Sequence, residues 1–348
     1  MSYSVTLGDG TRFDAPGDQP VLESALRAGA WMAHACSQGT CGTCKFKIEE
    51  GTVDHGSSCT DVLPPCDRSA GLALACQARP TSDLTASVLG EDKGRRVSHP
   101  LKDHTGRVIE LTTVASDTVR LVVQVDEPME FSPGQYCEFS VPGTDLRRQY
   151  SIASTPCDGT RLEFHIRRVS GGAATDGWIF RDLAEGHEVQ LRGPLGTFLL
   201  DGVQEETAIL IGGGTGLAPL KSIAVHALEN NLLPKISLYH GCRTASDLYD
   251  VEFFRDLRDA YPDTFSYHPV LSDEPGESSW DGARGLITEA VLEDYSTCRG
   301  HVAFLCGPPA MIEAGVKVLR RRRMPSRLMH REEFTPAAGD PVAVARSA

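Results

Sequence analysis

Several things are scarce in this chain. No apolar run approaches the ~20 residues needed to span a bilayer, so a membrane-spanning protein is not expected. The opening residues, MSYSVTLGDG, hold neither a basic stretch nor an apolar one, which counts against a secretory signal and points to the cytoplasm. Cations are in short supply as well: 34 Lys and Arg face 47 Asp and Glu, a net charge of −13. That sign disfavours nucleic-acid backbones and anionic membranes, both of which need clustered Lys and Arg. Eleven cysteines, an odd number with no export signal, do not read as a disulfide framework. No internal repeat is visible. What remains is 41% hydrophobic and 23% charged, the composition of a folded protein. At ~150 residues per domain, 348 residues suggest two or three domains.

The pattern changes twice along the chain. Residues 1–93 open with two extended runs, YSVTL and TRFDA, around Gly8-Asp9-Gly10, a turn signal that predicts a hairpin. Pro20 then opens a helical stretch with Val21, Leu22, Ala25 and Leu26 on one face and Gly29 as its stop. KFKIEEG and LALACQ read as strands, giving a small α+β domain rich in loops. The polar stretch Gly90–Pro100 reads as a linker. Residues 101–204 alternate in short runs (RVIELTTV, VRLVVQV, QYCEFSV, LEFHIRRV, HEVQLRG) separated by turn residues, which predicts an antiparallel barrel or sandwich. In residues 205–335 apolar strands (AILIGGG, KISLYHG, FSYHPV, HVAFLCG) alternate with helical stretches. One of these carries a stripe of Leu217, Leu220, Ile223, Ala224, Ala227 and Leu228. That alternation predicts a parallel, doubly wound α/β sheet. The tail from Thr335 reads as mobile.

The strongest chemical signal is Cys36, Cys41 and Cys44 in a C-x4-C-x2-C spacing, with Cys76 beyond, which matches the plant-type [2Fe–2S] pattern. Gly39 and Gly42 let the loop between them turn its N–H groups towards sulfur. Cys59 or Cys66 could also supply the fourth ligand; Cys76 is preferred because the strand-like LALACQ is a rigid mount. A zinc site is the competing reading, although zinc sites more often use two matched C-x2-C halves. Residues 1–93 resemble plant-type ferredoxins, which implies a β-grasp fold and the four cysteines Cys36, Cys41, Cys44 and Cys76 as cluster ligands.

Arg148-Gln149-Tyr150-Ser151 resembles the R-x-Y-S signature of the ferredoxin–NADP reductase superfamily. The resemblance implies a Greek-key barrel binding FAD, with Arg148 on the pyrophosphate, Tyr150 stacked on the isoalloxazine and Ser151 near its reactive nitrogen. A cation suits a diphosphate and an aromatic face suits a flavin; Arg147 competes for the cation's role. His165 and Arg167 belong to the same implied FAD site. Gly172, Ala173, Ala174 and Thr175 match the family's G-x-x-S/T turn, which opens a pyrophosphate-binding helix, read here over Asp176 to Leu183. Gly193-Pro194-Leu195-Gly196 matches the turn that ends the family's barrel.

Ala208-Ile209-Leu210-Ile211 runs into Gly212, Gly213, Gly214, Thr215, Gly216, Leu217, Ala218 and Pro219. A buried strand thus feeds a glycine-rich loop and a helix, an arrangement that aims N–H groups at a diphosphate. The third glycine of a standard dinucleotide fingerprint is replaced by Leu217; the G-G-G-T-G-x-A-P run instead resembles the reductase superfamily. That resemblance implies that Cys306, followed by Gly307 and Pro308, lies beside the nicotinamide, and that Phe334 is the aromatic that shields the flavin. Arg243 stands where the adenine ribose is read. One arginine without a second basic or serine partner is thin support for a 2′-phosphate, so NADH is favoured over NADPH.

The order ferredoxin, flavin barrel, nicotinamide lobe resembles the reductase component of bacterial multicomponent oxygenases. It implies electron flow from NADH through FAD and the [2Fe–2S] cluster to a terminal oxygenase. The chain is expected to act as a monomer. A soluble di-iron monooxygenase is the first expectation for that partner and a Rieske dioxygenase the second. A reductase for a non-oxygenase enzyme such as one of deoxysugar synthesis, and a non-catalytic redox sensor, stand as further alternatives. The run Arg320 to Arg323 reads as a solvated helix end. Cys59, Cys66, Cys137, Cys157, Cys242 and Cys298 receive no role.

Overall fold

The structure, a computed structural model, describes residues 1–89 and 99–334. The segment read as a linker lies almost wholly outside the described residues, as does the tail from Thr335. Two compact units emerge: Met1–Asp103 together with Arg192–Thr197, and His104–Leu191 together with the chain from Phe198 onward. Among the described residues no helix is long and apolar enough to cross a membrane.

In the first unit the expected hairpin forms. Ser2–Leu7 and Arg12–Pro16 pair antiparallel, and Asp9 closes the turn by accepting from the Thr11 N–H at 2.9 Å. Alternation puts Val5, Leu7, Phe13 and Ala15 inside. The five-stranded sheet runs Arg12–Pro16, Ser2–Leu7, Leu84–Val88, Lys45–Glu50, Leu72–Leu74, with Ser2–Leu7 and Leu84–Val88 parallel. Helix Val21–Arg27 starts after Pro20 and buries Val21, Leu22, Ala25 and Leu26. One expectation needs correcting. The strand at LALACQ ends at Leu74, so Cys76 sits in the turn beyond it. Hydrogen bonds fix that turn instead: Ala75 N–H donates to the Cys44 carbonyl, and Ala78 N–H to that of Leu74.

In the second unit six antiparallel strands lie in the order Arg147–Ser151, Tyr136–Ser140, Glu188–Leu195, Lys102–Ala115, Thr118–Val125, Arg161–Arg167. A bridge between Ile152 and Phe164 joins the two ends, which closes the sheet into a barrel. Its core includes Leu121, Phe139, Ile152, Phe164 and Trp178. The helix expected over Asp176 to Leu183 is only the single π-turn Thr175–Ile179, followed by turns. Gly177 weakens a regular helix, and burial of Trp178 and Ile179 fits the wider i→i+5 bonds Ala174 O to Ile179 N and Thr175 O to Phe180 N.

The remaining six strands are all parallel, ordered Ala283–Arg284, Phe265–Leu271, Ile236–Cys242, Thr207–Gly213, His301–Gly307, Met329–Glu333. The apolar stripe of helix Leu217–Glu229 is buried as expected, but Lys221 and Ser222 are buried with it. The strand order reverses between Thr207–Gly213 and His301–Gly307. In an open α/β sheet such a switch leaves a crevice at the carboxyl ends of the strands, where ligands bind.

Candidate functional site

The four expected thiols come together in two pairs. Cys44 and Cys76 place their sulfurs 3.1 Å apart and are buried. Cys36 and Cys41 share a hydrogen bond that pulls the Cys36 thiol down to about 4 and pushes Cys41 up to about 12. The same effect lowers Cys44 and raises Cys76, so each pair holds one sulfur that favours the thiolate, the form that binds metal. Among the described residues, only Glu163, His165 and Asp250 bring three possible ligand atoms within 4.8 Å of one another. Two pairs suit a two-iron cluster, one pair for each iron. Donors face the sulfurs: Gln38 N–H and the Thr40 hydroxyl reach Cys36 Sγ at 3.3 and 3.5 Å. Gly39 lies at φ +77°, and a Cβ there would meet Gln77 Cγ at 2.8 Å, so the loop needs glycine at this point. Cys59 donates its N–H to the Gly39 carbonyl, and Cys66 is exposed on helix Pro65–Ser69; neither stands in a pair with Cys44.

On the barrel, Arg148 and Tyr150 share one face of strand Arg147–Ser151 and are half-buried, whereas Arg147 is exposed on the other. Tyr150 packs edge-on against Phe139 with centroids 5.5 Å apart. Thr175 Oγ1 accepts from Val169 N–H at 3.1 Å and donates to its carbonyl at 3.0 Å, closing a tight turn around residues 169–175. A Cβ on Gly172 would lie 2.8 Å from Thr175 Oγ1, and Ala174 is buried beside it while Ala173 is half-buried. This small-residue turn is a cradle a larger side chain would fill, and it fits a diphosphate. Arg168 is committed to Asp176, which also accepts from Gly171 N–H. Arg167 is exposed. The His165 ring has no exposure, and both its nitrogens meet protein groups, Glu163 at 2.7 Å and Tyr249 at 3.2 Å.

In the crevice the two glycine motifs interlock. A Cβ on Gly216 would lie 2.1 Å from the Cys306 carbonyl oxygen. A Cβ on Gly213 would meet Met311 and Pro308, and Gly307 packs against Gly213. Gly214 is left-handed at φ +55° with open space where a Cβ would stand. Gly213, Gly214 and Thr215 are half-buried at the edge, with helix Leu217–Glu229 and buried Pro219 behind them. A half-buried loop at a helix N-terminus fits a dinucleotide diphosphate.

At the same edge Cys306, fully buried, lies in register with Glu332 on the neighbouring strand. Ser151 Oγ donates to Glu332 Oε2 at 3.5 Å. Loss of water lifts the Glu332 carboxyl to about 8 against the pull of that hydrogen bond, and burial pushes the Cys306 thiol far up. Phe334 follows directly, its N–H bound to the Gly307 carbonyl at 2.9 Å. Arg243 stands apart, exposed and paired with Asp273 at 2.9 Å.

Sequence reasoning missed Glu332, whose strand, MHREE, has no apolar alternation to mark it. It also missed a charged cluster of Arg120, Glu163, Lys221 and Asp250. A signal did exist for Lys221: it falls four residues after Leu217, on the apolar stripe of its helix.

Three family models match the chain: a 2Fe-2S iron-sulfur cluster binding domain over residues 5–81, an oxidoreductase FAD-binding domain over 105–199 and an oxidoreductase NAD-binding domain over 210–317. Across 97% of its length the chain is 48% identical to the whole of the aromatic O-demethylase reductase subunit of an Amycolatopsis species. It is 36% identical to the phenol hydroxylase P5 protein of Acinetobacter pittii, covering all of this chain and 99% of that protein. The crystal structure of Amycolatopsis cytochrome P450 reductase GcoB superposes with a TM-score of 0.91 at 47% identity, over 97% of this chain and 100% of that one.

Proposed function

Since the chain belongs to the family of reductase components of multicomponent oxygenases, with [2Fe–2S], FAD and NAD as its cofactors, we propose that it carries electrons from NADH to a terminal oxygenase acting on an aromatic substrate. The proposed modules are residues 1–93, 101–204 and 205–335. The observation that carries the reading is end-to-end likeness to a reductase subunit of an aromatic O-demethylase. That likeness favours a cytochrome P450 as the acceptor, because the superposing crystal structure is of a cytochrome P450 reductase. The di-iron monooxygenase expected from the sequence is the second reading, supported by the phenol hydroxylase relative.

FAD held by the barrel would supply two-electron acceptance and one-electron release, and a cluster held by Cys36, Cys41, Cys44 and Cys76 would supply one-electron transfer. The chain's own residues prepare this. Arg148 supplies charge for the FAD diphosphate, the turn around 172–175 its close backbone approach, and Tyr150 an aromatic face held by Phe139. Loop 212–216 and Cys306-Gly307-Pro308 receive the nicotinamide dinucleotide. The Ser151–Glu332 pair holds a proton at the carboxyl at neutral pH, because that carboxyl is short of water. Buried Cys306 excludes water there and stays a neutral thiol. Phe334, attached through its N–H to Gly307, is the proposed cover for the flavin.

NADH is the proposed donor. Arg243 is already met by Asp273, Asp247 caps Thr244 and Glu274 accepts from Ala245 N–H, so acidic groups surround the place where a 2′-phosphate would need cations.

Anaerobic NADH with the iron- and flavin-loaded protein should bleach the flavin and reduce a purified aromatic O-demethylase cytochrome P450, with NADPH far slower. Faster reduction of a phenol hydroxylase than of the P450 would move the assignment to the second acceptor, and a colourless loaded protein would end the reading. Sedimentation should show a monomer.

A further inference from the structure

Glu163, His165 and Asp250 look at first like ligands for a cation, but the cation is present as a side chain. Lys221 Nζ donates to Glu163 Oε1 at 2.8 Å and to Asp250 Oδ2 at 2.7 Å. Arg120 pairs with the other Asp250 oxygen and lies 3.5 Å from Glu163 Oε1. Glu110 also lies 3.8 Å from Arg120, at the more exposed side of the cluster. The Lys221 ammonium also stands over the Phe253 ring, 4.5 Å from its centroid.

The members come from opposite sides of the second unit. Arg120, Glu163 and His165 are on barrel strands Thr118–Val125 and Arg161–Arg167, with His165 directly opposite Arg120. Lys221 is on helix Leu217–Glu229, immediately behind the glycine-rich loop, and Asp250 precedes helix Val251–Ala260. A second strand of contacts runs from His165 Nδ1 to the Tyr249 hydroxyl at 3.2 Å and on to the Gly214 carbonyl at 3.5 Å, within the loop itself. Lys221–Glu163, Arg120–Asp250 and Tyr249–His165 join the barrel to the segments beside the loop, while Arg120–Glu163 and Lys221–Asp250 brace each side internally.

Stability alone does not account for this design. Side chains of Lys221 and Asp250 are 9% and 1% exposed. Taking charges out of water costs enough that apolar residues of similar size often serve a fold as well or better. A leucine at 221 would simply have continued the stripe of Leu217, Leu220 and Ala224. Charged contacts are directional where apolar ones are not, and fixing register is their best-attested use.

We propose that Glu163, Lys221, Asp250 and Arg120, with the His165–Tyr249 link, are positioning residues: a latch that sets the nicotinamide loop against the flavin barrel and so governs hydride-transfer geometry. The inference rests on the reading that loop 212–216 takes NADH and the barrel takes FAD. None of the latch residues performs chemistry. ADP-ribose, which needs the loop and the segment around Arg243 but not the barrel, should be indifferent to the latch, whereas hydride transfer depends on how the two sides are set. A misplacement of about 1 Å can cost up to ~100-fold in rate.

The test uses the full-length, cofactor-loaded protein. The double variant Glu163→Gln/Lys221→Met removes one charge of each sign and keeps the balance; Lys221→Arg keeps the ion pairs. Flavin and iron content, melting temperature, ADP-ribose affinity by calorimetry, and flavin bleaching at saturating NADH are measured for each. The latch predicts a double variant with full cofactor content, melting near the parent and ADP-ribose affinity within about two-fold. Its bleaching should be slowed about 10- to 100-fold with loss of the long-wavelength charge-transfer absorbance, and Lys221→Arg should recover most of the rate. Unchanged bleaching overturns the latch. So does loss of flavin, or a fall in ADP-ribose affinity parallel to the rate, either of which makes the cluster an ordinary part of the fold. If the parent itself binds ADP-ribose but NADH never bleaches its flavin, the functional reading fails first and takes the latch with it.

Discussion

Glu163 and Glu332 lie on strands of the same unit and are both half-buried, yet they are held in opposite charge states. Burial works to raise the Glu163 carboxyl, but the hydrogen bond from His165 and the charge of Lys221 bring it far below the carboxylate range. Among the described residues Glu332 has a single hydroxyl donor, Ser151, and no cation in its hydrogen bonds, and is lifted to about 8. Desolvation acts on both; a neighbouring positive charge decides the outcome. The first glutamate is thereby a fixed charge, suited to holding parts in place. The second is a proton reservoir beside the place proposed for hydride transfer.

Neutral isosteres expose the difference most sharply. Glu163→Gln takes away one of the two carboxylates on buried Lys221 and leaves it Asp250, which it shares with Arg120, whose other contact is Glu110 at 3.8 Å. Allowing for the partial exposure of Glu163, the loss should be about 2–3 kcal/mol, read as a clear drop in the flavin unit's melting temperature at pH 7. Glu332→Gln replaces a carboxyl that is protonated in the folded chain but ionises on unfolding at that pH, so its melting point should not fall and its stability should rise by about 1 kcal/mol or more. Equal losses in the two variants would mean that the charge states are not opposite.

A pH series separates them further. A carboxyl whose folded pKa is raised binds its proton more tightly folded than unfolded. Glu332's contribution is therefore complete below its ordinary value of 4.5 and is lost as pH climbs through about 8. Glu163 behaves in reverse: its contribution is present above 4.5 and is lost only as the medium becomes strongly acidic. The melting curve of Glu332→Gln should thus cross the parent's, gaining about 1–2 kcal/mol on it between pH 6 and 9. Parallel curves across that window would show that Glu332 is ionised throughout.

The two glutamates also mark what could be read from the chain. The cluster loop was legible because its chemistry is local: three ligands, two glycines and their spacing occupy Cys36 to Cys44. The hairpin at Gly8-Asp9-Gly10, the barrel strands and the buried stripe of helix Leu217–Glu229 were legible through periodicity. Strand Met329–Glu333 was not, because an edge strand of MHREE shows no apolar alternation, and Glu332 went with it. The short π-turn at Thr175–Ile179 escaped for a related reason: burial of Trp178 and Ile179, a tertiary matter, accompanies bonds wider than a helix makes. Cys76 lies beside Cys44 although its mount is a turn and not a strand. The Glu163 cluster draws on Arg120, Glu163, Lys221 and Asp250, residues spread over 131 positions whose proximity only the fold creates.

The smallest expected effect tests whether charge is what distinguishes the Glu163 side. Tyr249 joins that network through a neutral hydroxyl, while its ring packs edge-on against His165 and His240 at 4.9 and 5.5 Å. Tyr249→Phe keeps both ring contacts and removes only the hydroxyl between His165 Nδ1 and the Gly214 carbonyl. A single neutral hydrogen bond contributes about 1 kcal/mol, so the melting temperature should fall by less than half of what Glu163→Gln produces. His165 also keeps its bond to Glu163, which leaves the carboxylate's strongest partners in place. A loss as large as that of Glu163→Gln would mean that the hydroxyl, and not the paired charges, secures the loop, and the contrast between the two glutamates would then say nothing about how the barrel and the loop are joined.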